Sequence, residues 1–265
     1  MEITLLDKNK DRTKVSFLFK DTIPSFANAI RRIIVDEVPT LAIEDIEFRK
    51  NSSILYDEIV AQRLGMVPLK TDLKSYNIPA ECTCKGEGCA KCQVKMVLKA
   101  KGPATVYASD LKIKDPKVKP IYPEMPIVKL LKNQELEIEA VAVMGQGKMH
   151  AKWSPALAYY KYKPIIDIDK KCDNCEACAK VCPVNIFDMK GSKLSINKDN
   201  LLKCHLCNAC VEECPKAAIT LNYNENEYVF FVESWGQLTY REILVEAGDR
   251  FQAKLEDFVK ELKKK

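Results

Sequence analysis

Two stretches of this sequence repeat one spacing of cysteine and proline, CDNCEACAKVCP at residues 172–183 and CHLCNACVEECP at residues 204–215. Both read C-x2-C-x2-C-x3-C-P, and each cysteine of the second stretch lies 32 residues after its counterpart, as Cys204 does after Cys172. The stretches therefore form an internal repeat in which both copies are complete. Eight thiols in register predict two metal centres with thiolate ligands, because chance rarely reproduces such a pattern.

The spacing is the one that binds two iron–sulfur clusters in bacterial ferredoxins, where the fourth cysteine of each run ligates the other cluster. The predicted ligands of the first 4Fe-4S cluster are Cys172, Cys175, Cys178 and Cys214, and those of the second are Cys182, Cys204, Cys207 and Cys210. If one thiolate of a set is not engaged, that set could hold a 3Fe-4S cluster instead. Two zinc sites or a disulfide framework are the alternatives, but zinc sites usually combine paired CxxC units.

Four further cysteines lie within 11 residues, in the pattern Cys82-x-Cys84-x4-Cys89-x2-Cys92. Four thiolates on one loop form a closed tetrahedral site of the kind that zinc prefers, with no position left for a substrate. We therefore predict one structural zinc ion in loop 82–92. Reduced free thiols or a disulfide pair are the alternatives.

Composition limits the class of protein. The 265 residues are enough for two or three domains, and 47% hydrophobic with 30% charged residues is typical of a soluble globular protein. No run of 18 apolar residues occurs, and Met1-Glu2-Ile3-Thr4 does not begin a basic stretch followed by an apolar core. Thiolate-ligated clusters require a reducing compartment. We therefore expect a cytoplasmic protein that is not exported and does not bind membranes.

Charge and motif content argue against direct DNA binding and against catalysis. The 42 basic residues nearly balance the 37 acidic ones, so any contact with DNA is expected to be indirect. His150 and His205 are the two histidines, and they do not suggest an acid–base pair. No Walker loop, dinucleotide-type GxGxxG motif or Asp-rich magnesium triad is present. The sequence therefore predicts no active site.

Two amphipathic helices are predicted outside the cysteine-rich segments. Residues 24–38 carry an apolar stripe before Pro39, and residues 239–264 carry one at spacings of three and four residues. Periodicity alone leaves two interpretations of the second stripe open, packing on the chain's own sheet or a subunit interface. Residues 161–164, KYKP, are predicted to form a linker because Pro164 restricts Lys163 to extended geometry.

Three strings at the N-terminal side carry a resemblance to a known family. PSFANAIRRI at residues 24–33, EVP at 37–39 and DEIVAQRLGMVPL at 57–69 closely resemble the alpha-type assembly subunits of RNA polymerase. GQGKMHAKWSP at 145–155 and VESWG at 232–236 resemble further motifs of that family. With the ferredoxin-like module, the chain is similar to the archaeal members, the D-type subunits. These are the counterparts of bacterial alpha and of the third-largest subunit of eukaryotic RNA polymerase II.

The resemblance implies an α+β fold with three domains. A discontinuous dimerisation domain would comprise residues 1–40 and 223–265, an inserted β-rich domain residues 41–165, and a ferredoxin-like domain residues 166–222. It also implies a heterodimer with subunit L, followed by recruitment of the large subunits. The predicted dimer contacts are Phe26, Ile30, Ile33, Ile34, Phe251, Leu255 and Phe258. The eukaryotic counterpart has a zinc loop in the region that corresponds to 82–92.

Two functions of different classes are compatible with these sequence features. One is a non-catalytic assembly subunit of DNA-directed RNA polymerase, and the other is a ferredoxin-type electron carrier or oxidoreductase subunit. The cysteine repeat fits both, since it indicates ligation and not electron flow. A redox enzyme also needs a flavin, nicotinamide or substrate site, and no motif for one is visible. The sequence favours the assembly subunit, with clusters that stabilise a module too small to bury much apolar surface.

Overall fold

The computed structural model describes residues 1–264. Lys265, the last residue of the predicted dimerisation domain, lies outside the described residues. The helices are α1 (Pro24–Asp36), α2 (Asp57–Gly65), α3 (Ala177–Val181), α4 (Lys198–Leu201), α5 (Ala209–Glu212) and α6 (Tyr240–Lys263). The strands are β1 (Glu2–Lys8), β2 (Lys14–Lys20), β3 (Thr40–Asn51), β4 (Gln93–Lys101), β5 (Ala104–Tyr107), β6 (Lys112–Ile113), β7 (Pro126–Leu130), β8 (Glu135–Gly145), β9 (Ala156–Ile168), β10 (Phe187–Lys190), β11 (Lys193–Ile196) and β12 (Ile219–Ser234). The fold is α+β, as predicted.

One compact unit contains residues 1–8, 16–28 and 159–231. It holds most of a four-stranded sheet of order β1-β2-β12-β9 and the hairpin of β10 and β11. Aromatic side chains pack within this unit, where the Phe19 and Phe230 rings stack with their centroids 5.1 Å apart. The cysteine runs have a separate core of Ile166, Cys178, Ile186, Phe187, Leu194, Cys204, Cys210 and Ile219. Three of these eight buried residues are cysteines, so candidate metal ligands are themselves part of this small core.

The second compact unit contains residues 9–15, 29–158 and 232–264. Its main sheet has the order β3-β8-β4-β6, and β5 pairs with β7. Buried residues alternate along β4 and β8, as expected for an antiparallel sheet with one face on the core. The large core on that face includes Leu41, Ile43, Val60, Leu64, Met96, Leu98, Ile127, Leu136 and Ile138. This unit therefore has a hydrophobic core that does not depend on a metal.

The compact units group the chain differently from the three predicted domains. The β-rich segment shares a unit with α6, and the cysteine runs share the other unit with the N-terminal strands. The predicted boundary at 165/166 falls inside β9, and the boundary at 222/223 falls inside β12. The predicted linker 161–164 also lies within β9 and is wrong, because Pro164 is compatible with the extended backbone of a strand. The division into three domains stays a prediction.

Helix α6 begins at a capping box. The Thr239 hydroxyl accepts a hydrogen bond from the backbone N–H of Glu242 at 3.3 Å, and the Glu242 carboxylate accepts one from the N–H of Thr239 at 2.8 Å. Two otherwise unpaired N–H groups are satisfied in this way. Among residues 1–264, no helix combines the length and the apolar character needed to cross a membrane.

A buried carboxylate ties α6 to the end of α1. Glu37 is 8% exposed, and its carboxylate accepts hydrogen bonds from Lys254 of α6 and, at 2.9 Å, from the Nζ of Lys148. Gln146 donates from Nε2 to the Glu37 main-chain carbonyl at 2.7 Å. Burial raises the pKa of Glu37, but the two lysines outweigh it and hold the pKa below its ordinary value of 4.5.

We expect Glu37→Gln to lower the free energy of unfolding by about 2 kcal/mol at pH 7, because two lysines lose a charged acceptor. Since the native pKa is depressed, this stabilisation is present above pH 4.5 and is lost as the pH falls through the native pKa. Denaturant unfolding of both proteins between pH 3 and 7 measures the difference. Asp257→Asn is the matched control, because its pair with Lys260 is exposed. A constant difference over that pH range would contradict the role of Glu37.

Candidate metal centres

The internal repeat extends from the cysteines to the backbone between them. Asn174, Glu176 and Asn185 have φ values of 59°, 64° and 50°, and the residues 32 positions later, Leu206, Asn208 and Ala217, have 60°, 62° and 44°. These left-handed residues reverse the chain between successive thiols, a conformation that few non-glycine residues adopt. Sequence reasoning missed these turns because glycine, its usual signal, stands at none of the six positions.

The fourth cysteine of each run is held in the same way in both copies. The backbone N–H of Ile186 donates to the Sγ of Cys182 at 3.4 Å, and the N–H of Ala218 donates to the Sγ of Cys214 at 3.3 Å. An N–H donor stabilises a thiolate and lowers the electron density on a ligand sulfur. The repeat therefore places equivalent donors at both sites.

The fourth cysteine of the first run joins the second run in space. Cys182 lines one cavity together with Cys204, Cys207 and Cys210, and the rest of the lining is apolar apart from His205. Burial, followed by the neighbouring thiols Cys204, Cys182 and Cys207, raises the pKa of Cys210 to about 11. We call these four residues the second set. Four converging thiols with apolar walls suit an iron–sulfur cluster.

The first set consists of Cys172, Cys175, Cys178 and Cys214. Burial raises the pKa of Cys178, and the adjacent Cys172 and Cys214 raise it further, so Cys214 has joined the first run. Cys178 is buried and Cys175 is exposed, as Cys210 and Cys207 are in the second set. The structure thus brings Cys182 and Cys214 to the run opposite their own.

One lysine from outside the runs reaches the second set. Lys161 on β9 donates from Nζ to the carbonyl oxygen of Cys204 at 2.9 Å, and the same atom lies 5.5 Å from the centre of the Phe231 ring. Burial lowers the pKa of Lys161, and the adjacent Cys204 opposes that shift. Sequence reasoning placed this lysine in a linker, since nothing local shows that β9 passes beside residue 204.

Loop 82–92 forms the third group of cysteines. The Sγ atoms of Cys82 and Cys89 are 3.6 Å apart and those of Cys84 and Cys92 are 3.5 Å apart. All four sulfurs lie within 4.8 Å of one another. Tetrahedral Zn–S bonds of about 2.3 Å require sulfurs about 3.8 Å apart, so the group has the right size. The cysteines are free thiols, and their separations are far longer than a disulfide bond.

The thiols of this loop differ in acidity. Burial raises the pKa of Cys84, but hydrogen bonds to its sulfur outweigh this effect and lower the pKa to about 6. The partners in these hydrogen bonds are the N–H groups of Gly88 and Gly86 and the thiols of Cys82 and Cys92. Burial raises the pKa of Cys92 to about 12. Positive φ values of 89° at Gly86 and 91° at Gly88 turn these N–H groups toward the sulfurs. The loop backbone therefore favours a thiolate at one corner of the group.

The two histidines do not add an acid–base site. His205 lines the cavity of the second set. His150 accepts a hydrogen bond at Nδ1 from the N–H of Lys152 at 3.0 Å and thereby caps a short turn.

Comparison with known proteins adds to this geometry. Residues 43–170 match the RNA polymerase Rpb3/RpoA insert domain, and residues 171–219 match a 4Fe-4S dicluster domain. The Rpo3 subunit of DNA-directed RNA polymerase from Methanosarcina acetivorans is 40% identical over 261 residues, which are 98% of this chain and 97% of that protein. The chain belongs to the Rpo3 family. The family predicted from the sequence motifs is therefore confirmed.

Other Rpo3 proteins match over the same length. The Methanothermobacter thermautotrophicus subunit is 42% identical over 263 residues, 98% of each chain. The Pyrococcus furiosus subunit is 36% identical over 268 residues, 100% of this chain and 98% of that protein. The similarity thus includes the terminal helix and the cysteine runs.

The chain exposes only part of the predicted dimer contacts. Ile33 and Ile34 are 7% and 0% exposed, so both belong to the core of this chain and not to a free surface. The apolar stripe of α1 includes residues that pack on this chain's own core, and Ile33 and Ile34 are two of them. Phe26, Ile30 and Phe251 are half-buried, and Leu255 and Phe258 are 50% and 62% exposed.

Proposed function

We propose that this chain is a non-catalytic assembly subunit of DNA-directed RNA polymerase, which pairs with subunit L and then recruits the large subunits. The observation that carries the proposal is the near full-length similarity to relatives named as Rpo3 subunits of that enzyme. In this proposal the nucleotidyl-transfer chemistry belongs to other subunits, and DNA is contacted only through the complex. The protein acts in the cytoplasm and binds no membrane.

Two 4Fe-4S clusters are the proposed cofactors of residues 166–222. The first set binds one cluster and the second set binds the other. The donor chemistry supports this assignment, since each set combines three thiols of one run with the fourth thiol of the other. Bound clusters supply covalent cross-links between the runs and one-electron redox centres. Burial raises the pKa of the thiols Cys178, Cys204 and Cys210, so cluster binding at neutral pH is expected to release protons.

One zinc ion is the proposed ligand of loop 82–92. Four sulfurs within 4.8 Å of one another and an acidic Cys84 thiol support it. The loop directly precedes β4, where Val94, Met96 and Leu98 enter the main core. The metal would stabilise a loop that has few apolar residues of its own.

The exposed face of α6 is the proposed surface for subunit L. Leu255, Phe258, Val259 and Leu262 are spaced by three, one and three residues, which places them on one side of the helix. Their exposed fractions are 50%, 62%, 45% and 59%. Such a stripe, left open by a helix whose N-terminal half is anchored at Ile243 and Ala247, suits a helix of a partner.

Anaerobic affinity purification from the native host tests the proposal. We expect stoichiometric polymerase subunits, about eight iron and eight sulfide per chain, and one zinc. Mass spectrometry identifies the partners and elemental analysis counts the metals. Recovery with flavoprotein or dehydrogenase subunits and without polymerase would favour the electron carrier. Polymerase subunits with about four iron would retain the assembly function and contradict the second cluster.

Serine at Cys172, Cys175 and Cys178 is expected to unfold the cysteine-run module and leave pairing with subunit L intact. The reason is that cysteines form much of the module's core, whereas α6 belongs to the other compact unit. Limited proteolysis reports the unfolding, and co-purification reports the pairing. Loss of pairing in this variant would overturn the modular view.

Phe258→Ala is expected to weaken binding of purified subunit L about 30-fold, the effect of an aromatic hot spot of about 2 kcal/mol. Phe258 is largely exposed in the single chain, so its loss leaves the fold intact. Isothermal titration calorimetry gives the affinity, and circular dichroism checks the fold. Lys260→Ala on the same helix is the control and changes the affinity less than about twofold. If the wild-type chain and both variants bind subunit L with equal affinity, Phe258 is not part of the interface and the proposed role of α6 is wrong.

A further inference from the structure

Lys161 is a charged residue beside the second set that the assembly function does not use. Its Nζ is 2.9 Å from the Cys204 carbonyl oxygen, and its side chain is half-buried on β9. The face of the Phe231 ring, 5.5 Å away, covers the same ammonium group. Among the described residues 1–264, no carboxylate forms an ion pair with it.

A neighbouring lysine on the same strand forms an ion pair and provides a comparison. Lys163, two residues further along β9, has its Nζ 2.6 Å from Oε2 of Glu227, whose side chain is 17% exposed. The charge of Lys163 is therefore balanced within the protein. Within residues 1–264, the contacts of the Lys161 ammonium group are with dipoles, those of a carbonyl and an aromatic ring. A half-buried ammonium in this state lowers its free energy if a negative group lies close by.

A cluster held by the second set would provide that negative group. Four thiolates give a 4Fe-4S centre a net negative charge, and the charge becomes more negative by one when the centre accepts an electron. An adjacent ammonium attracts the reduced centre more strongly than the oxidised one. Charge and hydrogen bonds near the ligands are among the factors that set cluster potentials.

We infer that Lys161 raises the reduction potential of the second cluster selectively and so makes the two clusters of one chain inequivalent. This inference rests on the proposed cluster ligands. The reaction is a one-electron reduction, in which the second cluster passes from the 2+ to the 1+ state and the donor loses one electron. Bonds and protons are unchanged. Lys161 acts through the electrostatic effect of its charge and is not itself oxidised or reduced.

The test is a redox titration of the full chain with dithionite under argon, followed by electron paramagnetic resonance. We expect Lys161→Met to reduce the ratio of reduced to oxidised second cluster about tenfold at a given potential, which is a shift of about 59 mV for one electron. The step of the first cluster does not move. Cys207→Ser marks the second cluster, because it changes a ligand of that set alone.

Matched variants separate the charge from other effects. Lys161→Arg keeps the charge and is expected to keep the potential. Lys161→Gln keeps a donor for the Cys204 carbonyl without the charge, and we expect it to behave like Lys161→Met. Lys203→Met removes an exposed charge next to Cys204 in sequence, where water screens it, and is expected to change the ratio less than twofold.

Iron content and co-purifying polymerase subunits are measured on the same samples. A wild-type chain without the second cluster contradicts the proposed cofactors, whatever Lys161 does. Full iron content with an unmoved potential in Lys161→Met overturns the role of Lys161 alone, as does an equal shift in Lys203→Met. If Lys161→Met loses iron, the role of Lys161 is tested by comparing Lys161→Gln with Lys161→Arg. Equal reduction potentials of the second cluster in those two variants overturn the inference.

Discussion

Cys182 leaves its own run to line the cavity of Cys204, Cys207 and Cys210, and Cys214 makes the reverse exchange. This exchange is the constraint on which the cysteine-run module depends. A short chain satisfies it only by reversing direction repeatedly, which explains the left-handed residues at equivalent positions of both copies. In the proposed assignment each set needs both runs, so neither metal centre would form on one run alone. Metal binding and folding of this module would then be one process.

The other compact unit is stabilised by a hydrophobic core. Its sheet and α2 bury a continuous set of aliphatic side chains, and loop 82–92 lies at the start of one strand of that sheet. A metal there would order a loop and would not create the core. Glu37 then supplies a specific electrostatic anchor for α6, because two lysines compensate the burial of its carboxylate. A helix held in this manner can present an apolar face without burying all of it.

These features agree with a subunit whose function lies in its surfaces. The exposed residues of α6 form a stripe at helical spacing, while the histidines serve the cavity lining and a turn. In the proposed function the iron–sulfur clusters act first as cross-links. The placement of Lys161 next to Cys204 adds a difference between two sites that the repeat would otherwise make alike. The internal repeat thus gives two sets of thiols with distinct surroundings, since the strand β9 that approaches the second set comes from outside the repeat.

Residue types and their spacing were enough to establish the eight-cysteine repeat, the four-cysteine loop, the α+β class and the family, and to predict the exchange of fourth cysteines. Each of these follows from residue types at fixed positions along the chain. Three further facts became visible only in the folded chain: Ile33 and Ile34 belong to the core, residues 161–164 form part of β9, and Lys161 approaches the second set. The reason is physical. A periodic pattern shows that a helix has an apolar face but not which part another element covers, and contacts between distant residues depend on how strands pair.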